Sequence, residues 1–568
     1  MSISRVLVGS FLVVISAAAQ VVTVPQKPQI GSSNPATAEP PVTRPNTKPC
    51  IVQLFKDLKF ADYNPKTFDY TPPADCPGPW QTVVFTADFI VTEGTQYDRT
   101  GAFYIGHVNV YYGTTAEPGS NFSPKWHVER DVTDLTAIFE SAQTGQAILG
   151  NFVGVYNGVN YNGIIYANAA LEFYPVAASG SAPETPAVVV PVPDADGGAV
   201  TLNTELDQLS QTVTLPTNVD RLYFDVITQS QINDEFWYLC APNDVAGELL
   251  TCGNTAFREA EITVDGTPAG VAPVYPWIYT GGIDPYLWQP VTGVQTLDFM
   301  PYRVDLTPFA GLLSDGHQHT VALSVVNADS YFLATGNLLV YTDPRSTKVT
   351  GAVTYNNLAP MPSPSVDEDL STDSAGNVSG TVTVKSDHKY SIVGYIMTSH
   401  GRIDTTVEQD TYFSNRQTYY VGVTEIPYVQ DVAQDTKTQL LTIRKDPAIT
   451  RKTIANFVYP LDISYTIGQN SNGTFFIDTT IHQENANRQY QWLNGASVFT
   501  SETDEDVNTV DTLNYDTSGN FTNNSGQRSS NRYLFNDSFG QCYSRSIAAA
   551  NNVLTAVTDG RQCGSENK

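Results

Sequence analysis

Between Asp234 and Trp288 the chain crowds carboxylates and aromatic rings between two cysteines and a glycine-rich turn. The order is Asp234-Glu235-Phe236-Trp237-Tyr238, Cys240 and Cys252, Phe257-Arg258-Glu259, Thr280-Gly281-Gly282-Ile283 and Trp288. Flat aromatic faces pack against the C–H faces of sugar rings, and neighbouring carboxylates move protons, so the mixture suits a cleft that processes carbohydrate. The same residue types also fit a β-sandwich core with surface charges, and on composition alone that plainer reading is the stronger. A second segment, Gln96-Tyr97-Asp98-Arg99, opens the strand-like stretch Thr100 to Tyr111. A carboxylate beside a guanidinium keeps a low pKa and a fixed orientation, which fits Asp98 to position or activate water rather than to donate a proton. Taken alone, an Asp-Arg pair is more often a structural ion pair.

Other chemistries lack their residues. There is no His-Glu-x-x-His, no Gly-x-Ser-x-Gly and no Walker loop, and His317 and His319 around Gln318 read as a polar turn rather than a metal site. Neither a metal nor a cofactor is expected. The six cysteines fall in three local pairs, Cys50 with Cys76, Cys240 with Cys252 and Cys542 with Cys563. In an oxidising compartment this pattern most simply gives three short-loop disulfides, which leaves no thiol free to act as a nucleophile.

The positioning elements follow from composition and periodicity. A length of 568 residues predicts two or three domains. Residues 1–19 read as a secretory signal, with Arg5 as the positive end, Val6 to Ile15 as the apolar stretch and Ala17-Ala18-Ala19 before the cleavage point. Six Asn-x-Ser/Thr sequons, at Asn121, Asn377, Asn472, Asn520, Asn523 and Asn536, fit the same export route and are expected to be exposed and glycosylated. No later segment reaches the roughly 18 consecutive apolar residues of a membrane helix, so no membrane partner is expected. A formal charge of −28 repels phosphate and excludes nucleic acid as a partner. Quaternary state leaves no signal.

Residues 20–49 are rich in Pro, Thr, Ser and Asn without apolar periodicity and read as a disordered leader. Beyond them, alternating runs such as Thr82-Val83-Val84-Phe85-Thr86-Ala87-Asp88-Phe89, punctuated by Gly and Asn, predict antiparallel sandwiches. The first is assigned to 50–177 and the second to 199–345, across the Pro-rich stretch Ala178 to Gly198. A third β-rich region is assigned to 368–568, interrupted by an Asn/Ser-rich loop around Asn514 to Arg532.

With these motifs the chain resembles the secreted plant and fungal peptide N-glycosidase A family, acidic enzymes that release N-glycans from asparagine. The resemblance spans about Val52 to Asp343. It rests on Tyr97-Asp98-Arg99, Thr115-Ala116-Glu117-Pro118, Arg130-Asp131-Val132-Thr133, Glu235-Phe236-Trp237-Tyr238, Phe257-Arg258-Glu259 with Asp265-Gly266 behind it, and Tyr279-Thr280-Gly281-Gly282-Ile283 through Trp288 and Pro290. Through a distant likeness to the bacterial peptide N-glycosidase F it implies two jelly-roll-like sandwiches packed side by side, with the active site at their junction. The essential aspartate of that enzyme lies in Glu-Trp-Asp-Arg, which matches Gln96-Tyr97-Asp98-Arg99. A tryptophan near its substrate corresponds to Trp288. Its second acid falls near Asn254 in this chain, so the partner acid stays open among Glu235, Glu259 and Glu117.

The implied reaction is hydrolysis of the amide between asparagine and the first N-acetylglucosamine of an N-glycopeptide or glycoprotein. Asp98 would handle water, Arg99 or Arg258 would orient a carboxylate or carbonyl, and Trp237 and Trp288 would stack on sugar. Glu235 is the favoured partner acid, because Asp234 and the aromatic run beside it both raise a carboxyl pKa. A glycoside hydrolase acting within the glycan and a glycan-binding sandwich without turnover remain as alternatives.

Overall fold

The computed structural model describes residues 27–178, 180–193, 198–560 and 563. The signal-like stretch 1–19 lies outside them. The architecture is antiparallel β throughout, as the alternating runs predict. A four-stranded sheet in the order Cys50–Phe60, Ile165–Pro175, Trp80–Val91 and Lys125–Asp131 covers a second in the order Lys66–Tyr70, Gln143–Leu149, Thr100–Ile105 and Val108–Thr114. Strand Ile165–Pro175 alternates buried and half-buried residues along its length, and the inward positions meet Phe55, Phe85, Phe89, Phe103 and Tyr111 in one core.

The second sandwich is built in the same way. Val188–Val192 and Val200–Thr204 both pair with Asp329–Thr342, which continues through Val219–Ser230 to Tyr302–Asp305. The other sheet runs Leu209–Val213, His319–Val325, Glu259–Val264, Thr267–Pro273.

The C-terminal region begins at Thr350–Asn356 rather than at 368 and forms a single 11-stranded antiparallel sheet ending at Val553–Asp559. Its inward residues, among them Ile392, Val407, Phe413, Leu461 and Ile481, belong to the same core cluster as Leu222, Phe224 and Ile262 of the second sandwich. The sheet therefore has no separate core of its own. The loop expected around Asn514 to Arg532 is a hairpin whose return strand is Phe521–Asp537. Composition misled because the inward side chains are polar: Gln527, Ser529 and Asn531 are buried at alternate positions, and Asn531 donates from Nδ2 to Glu505 Oε1 at 2.9 Å.

Residues 27–49 also depart from expectation, since they lie ordered against the body. The segment has no apolar period because it buries little of itself and instead satisfies its backbone from outside. Ala36 N–H donates to Pro290 O (2.8 Å), Ala38 N–H to Asn531 Oδ1 (3.0 Å) and Val42 N–H to Glu129 Oε2 (2.9 Å). Arg44 clamps it with ion pairs to Glu129 (2.7 Å) and Glu172 (2.9 Å).

All three local cysteine pairs are bridged, Cys50–Cys76, Cys240–Cys252 and Cys542–Cys563. Asn121, Asn472, Asn520 and Asn523 are exposed, whereas Asn377 and Asn536 are half-buried. The Asn377 amide bridges Asp373 Oδ2 and Val423 N.

Arg44 offers a direct test of the docked leader. Arg44→Ala leaves two partly buried carboxylates short of a partner, so global stability should fall by about 2 kcal/mol, and limited proteolysis should then cut first within residues 27–49. Unchanged stability with an unchanged cleavage pattern would mean that the clamp does not hold the segment.

Candidate active site

Asp98 is placed by the edge of the first sandwich. The pairing of Thr100 with Thr114 continues outward, with Thr115 N–H donating to Arg99 O (2.8 Å) and Arg99 N–H to Thr115 Oγ1 (3.1 Å). This register sets Asp98 beside Glu117, whose Oε2 accepts the Asp98 backbone N–H at 3.0 Å. The second sandwich supplies the opposite side. Its Thr280 Oγ1 donates to Thr115 O (2.6 Å), Gln289 Nε2 to Glu117 O (2.7 Å), and Gly281 N–H to Asp98 Oδ2 (2.8 Å). A Cβ on residue 281 would lie 2.1 Å from Glu117 Oε2 and 3.1 Å from Asp98 Oδ2, so the backbone approaches this closely only as glycine. Glu235 joins from the bend between the turns Ile232–Asp234 and Trp237–Leu239. Its side chain has no hydrogen-bond partner among the described residues, which leaves it free to meet a ligand.

The three half-buried carboxyls act on one another. Burial, followed by the charge of Asp98, pushes Glu117 up to about 7. Burial, followed by the charges of Asp98 and Glu117, does the same for Glu235, also to about 7. Burial raises Asp98 too, against the Gly281 N–H and the nearby Arg99 charge. The low pKa expected of Asp98 is therefore not found. Arg99 turns toward Tyr97 instead, donating from Nη1 to Tyr97 O with its guanidinium 3.7 Å from the ring centroid. The rise at Glu235 is as expected, but its cause differs, since Asp234 is matched to Arg258 at 2.8 Å and contributes no free charge.

Several candidates sit elsewhere. Arg258 is wholly taken up by Asp234 and by the carbonyls of Asn254, Thr255 and Phe257, so it is a structural cation. Glu259 is 2% exposed and shares a hydrogen bond with His388 Nδ1 of the C-terminal sheet at 2.8 Å. The charges that shift Asp98, Glu117 and Glu235 do not include it. Trp237, at 1% exposed, packs between Tyr238 and Phe413 and offers no face to a sugar. Trp288 is 2% exposed and does its work from behind, its indole N–H donating to Gly282 O at 2.9 Å and holding the turn that carries Gly281. Large aromatics are read from sequence as platforms or core with equal ease, and these two went to the core.

What sequence reading missed is mostly backbone and brace. Tyr279 donates to Ser230 O (2.7 Å) and accepts from Gln229 Nε2 (2.8 Å), fixing the strand that leads to Glu235. The C-terminal sheet grips the far side of the same turn. Asp284 Oδ1 accepts Tyr286 N–H (2.8 Å), Thr509 Oγ1 donates to Leu287 O (2.8 Å), and Asn552 Nδ2 reaches Tyr286 O (2.9 Å) and Gln289 O (3.2 Å). Asp284 also meets Asp511. Burial and that second carboxyl push Asp284 up to about 7, so the pair holds a proton between them.

The sequence matches the family model of peptide N-acetyl-β-D-glucosaminyl asparaginase amidase A over residues 40–358. It is 31% identical over 398 residues to the peptide-N4-(N-acetyl-β-glucosaminyl)asparagine amidase A of Prunus dulcis, a match that covers 66% of this chain and 67% of that one. Among solved structures, a glycosylasparaginase of Flavobacterium meningosepticum aligns with 52% of this chain and 96% of its own at 13% identity and a TM-score of 0.35. A peptide-N(4)-(N-acetyl-β-D-glucosaminyl) asparagine amidase aligns with 53% and 98%, at 14% identity and a TM-score of 0.35.

Glu117, Glu235 and Asp284 all have folded-state pKa values raised above their unfolded ones. Their contribution to stability is thus complete below about pH 4 and is lost as pH rises through about 7. The thermal midpoint should fall between about pH 4 and 7, and the fall should be shallower in Asp511→Asn, which removes the charge opposing Asp284. Scanning calorimetry across that interval decides it. A midpoint that climbs with pH would contradict the clustered carboxyls.

Proposed function

Because the chain belongs to the peptide N-acetyl-β-D-glucosaminyl asparaginase amidase A family, we infer that it hydrolyses the amide joining asparagine to the first N-acetylglucosamine of an N-glycopeptide or glycoprotein. Beyond the family, the reading is supported by three carboxyls of raised pKa meeting a backbone N–H at the junction of two sandwiches. Water adds to the side-chain carbonyl carbon and the C–N bond breaks. The nitrogen leaves with the sugar as a glycosylamine that later loses ammonia, and aspartate remains in the peptide.

Amide hydrolysis needs a base for the water and an acid for the leaving nitrogen. Asp98 is the base in this proposal, since the Gly281 N–H and the Arg99 charge favour placing the cluster's negative charge on it. Glu235 carries a proton up to about pH 7 and has a side chain free of protein partners, which fits it to protonate the nitrogen. Glu117, anchored on the Asp98 backbone, keeps the third carboxyl protonated and able to donate to the carbonyl or the sugar. Trp237 and Trp288 do not stack on the substrate in this scheme. Tyr331, half-buried and raised first by burial and then by the charge of Glu235, is a ring beside that carboxyl. The three disulfides and the exposed sequons favour export to the cell exterior as the site of action.

Asp98→Asn should lower turnover of a defined glycopeptide by about 100-fold or more while leaving glycopeptide binding in place. The parent's turnover should decline above about pH 7 as Glu235 loses its proton, and Glu235→Gln should lose turnover and leave a residual activity without that decline. Glu259→Gln should change the thermal midpoint without altering the pH profile. Mass spectrometry of the products separates amide cleavage, which turns Asn into Asp, from cleavage inside the glycan. Near-normal deglycosylation by a folded Asp98→Asn sample would return the chain to a binding role.

A further inference from the structure

A second hollow, a cleft of about 1110 Å³, lies between residues 39–44, the two sandwiches and the C-terminal sheet, and none of the three active-site carboxyls lines it. One wall is a face of the sheet. The strand registers set Phe457 beside Asn487, Asn487 beside Thr503, Thr503 beside Phe535 and Phe535 beside Tyr543. Directly paired residues project from the same face, so five consecutive strands contribute one row. Four inter-strand spacings make it roughly 19 Å long. All five side chains are half-buried and line the cleft. Rings therefore flank an amide and a hydroxyl along the row, and Tyr275 and Trp277 face it from the second sandwich.

Every arginine along the cleft is matched by a carboxylate, while its acids Glu39, Glu505 and Asp131 meet one another or neutral donors. Arg130 binds Asp298, Arg44 binds Glu129, Arg303 binds Asp225 and Asp134, and Glu505 accepts from Asn531. An anionic ligand would find no free counter-charge and would lose its hydration. A peptide strand fits no better. The row crosses strands paired on both sides, so no free edge is available for backbone hydrogen bonds. What remains complementary is a long, neutral molecule with flat C–H faces and many hydroxyls.

We propose that this cleft is a second oligosaccharide site, which holds a neutral part of the glycan apart from the amide-cleaving centre. The choice of glycan rests on the amidase reading above. Tyr275 and Trp277 belong to the same segment as Gly281, so one stretch of chain joins the cleft wall to the backbone donor on Asp98.

The test titrates the full-length protein with a free neutral high-mannose oligosaccharide by calorimetry, in parallel with turnover of a peptide whose asparagine carries only chitobiose. Asn487→Ala removes the amide from the row, and Thr503→Trp blocks its middle. Each should weaken oligosaccharide binding by about tenfold or more and leave chitobiosyl-peptide turnover at the native rate. Thermal midpoints verify that both variants fold, and Asn487→Ala, which adds no bulk, decides alone if Thr503→Trp does not. Absent binding by the native protein, native affinity in Asn487→Ala, or displacement of the oligosaccharide by the chitobiosyl peptide would each overturn the second site. Failure of the native protein to cleave the chitobiosyl peptide would count against the amidase reading, while the binding comparison would still judge the cleft.

Discussion

The hydrogen bond from Gly281 N–H to Asp98 Oδ2 is short, crosses from one sandwich to the other, and depends on almost everything around it. It forms only because Thr280 and Gln289 tie their loop to the backbone of Thr115 and Glu117, and because residue 281 has no side chain. Its consequence is electrostatic. By bringing two walls together it removes water from three carboxyls at once, and desolvation heads the causes of every pKa shift in the cluster. Charge repulsion among the three then adds to an effect that burial has already established.

The same economy appears at the seams of the fold. Where the sandwiches, the N-terminal strip and the C-terminal sheet meet, acids face acids or histidine: Asp284 with Asp511, Glu39 with Glu505, Glu259 and Glu261 with His388. The two acid–acid pairs are held by a proton rather than by a counter-ion, and the chain has 58 acidic residues against 30 basic ones with which to satisfy them. An excess of acid that reads from composition as solubility thus has a second use inside the molecule.

Much of this was legible in the residues. Alternation marked the sandwiches, local spacing paired the cysteines, and the motifs around Asp98, Glu117 and Glu235 located the acids that converge. What stayed hidden shares one property, that its information lies in the backbone or in a distant partner. Nothing in Gly281 announces a donor to Asp98. Arg99 next to Asp98 suggested an ion pair, yet the guanidinium chose the neighbouring Tyr97. Glu259 stayed a candidate beside the favoured Glu235 until His388, more than a hundred positions away, claimed it. The Pro-rich strip read as disordered because it borrows partners such as Glu129 and Asn531 instead of packing a core of its own.

The merged core of the second sandwich and the C-terminal sheet has a consequence for the chain as a covalent object. Past the sheet's first strand, Thr350–Asn356, the chain runs through the largely exposed, Pro-rich stretch 359–364, outside any strand. A single peptide-bond scission there would yield two polypeptides on a denaturing gel yet one particle in solution, since Phe413, Leu461 and Ile481 on one side of the cut are packed with Leu222, Phe224 and Ile262 on the other. The matched family region ends just before that stretch, so the recognisable half of the molecule shares its core with the residues beyond it. Its missing wall is the other half.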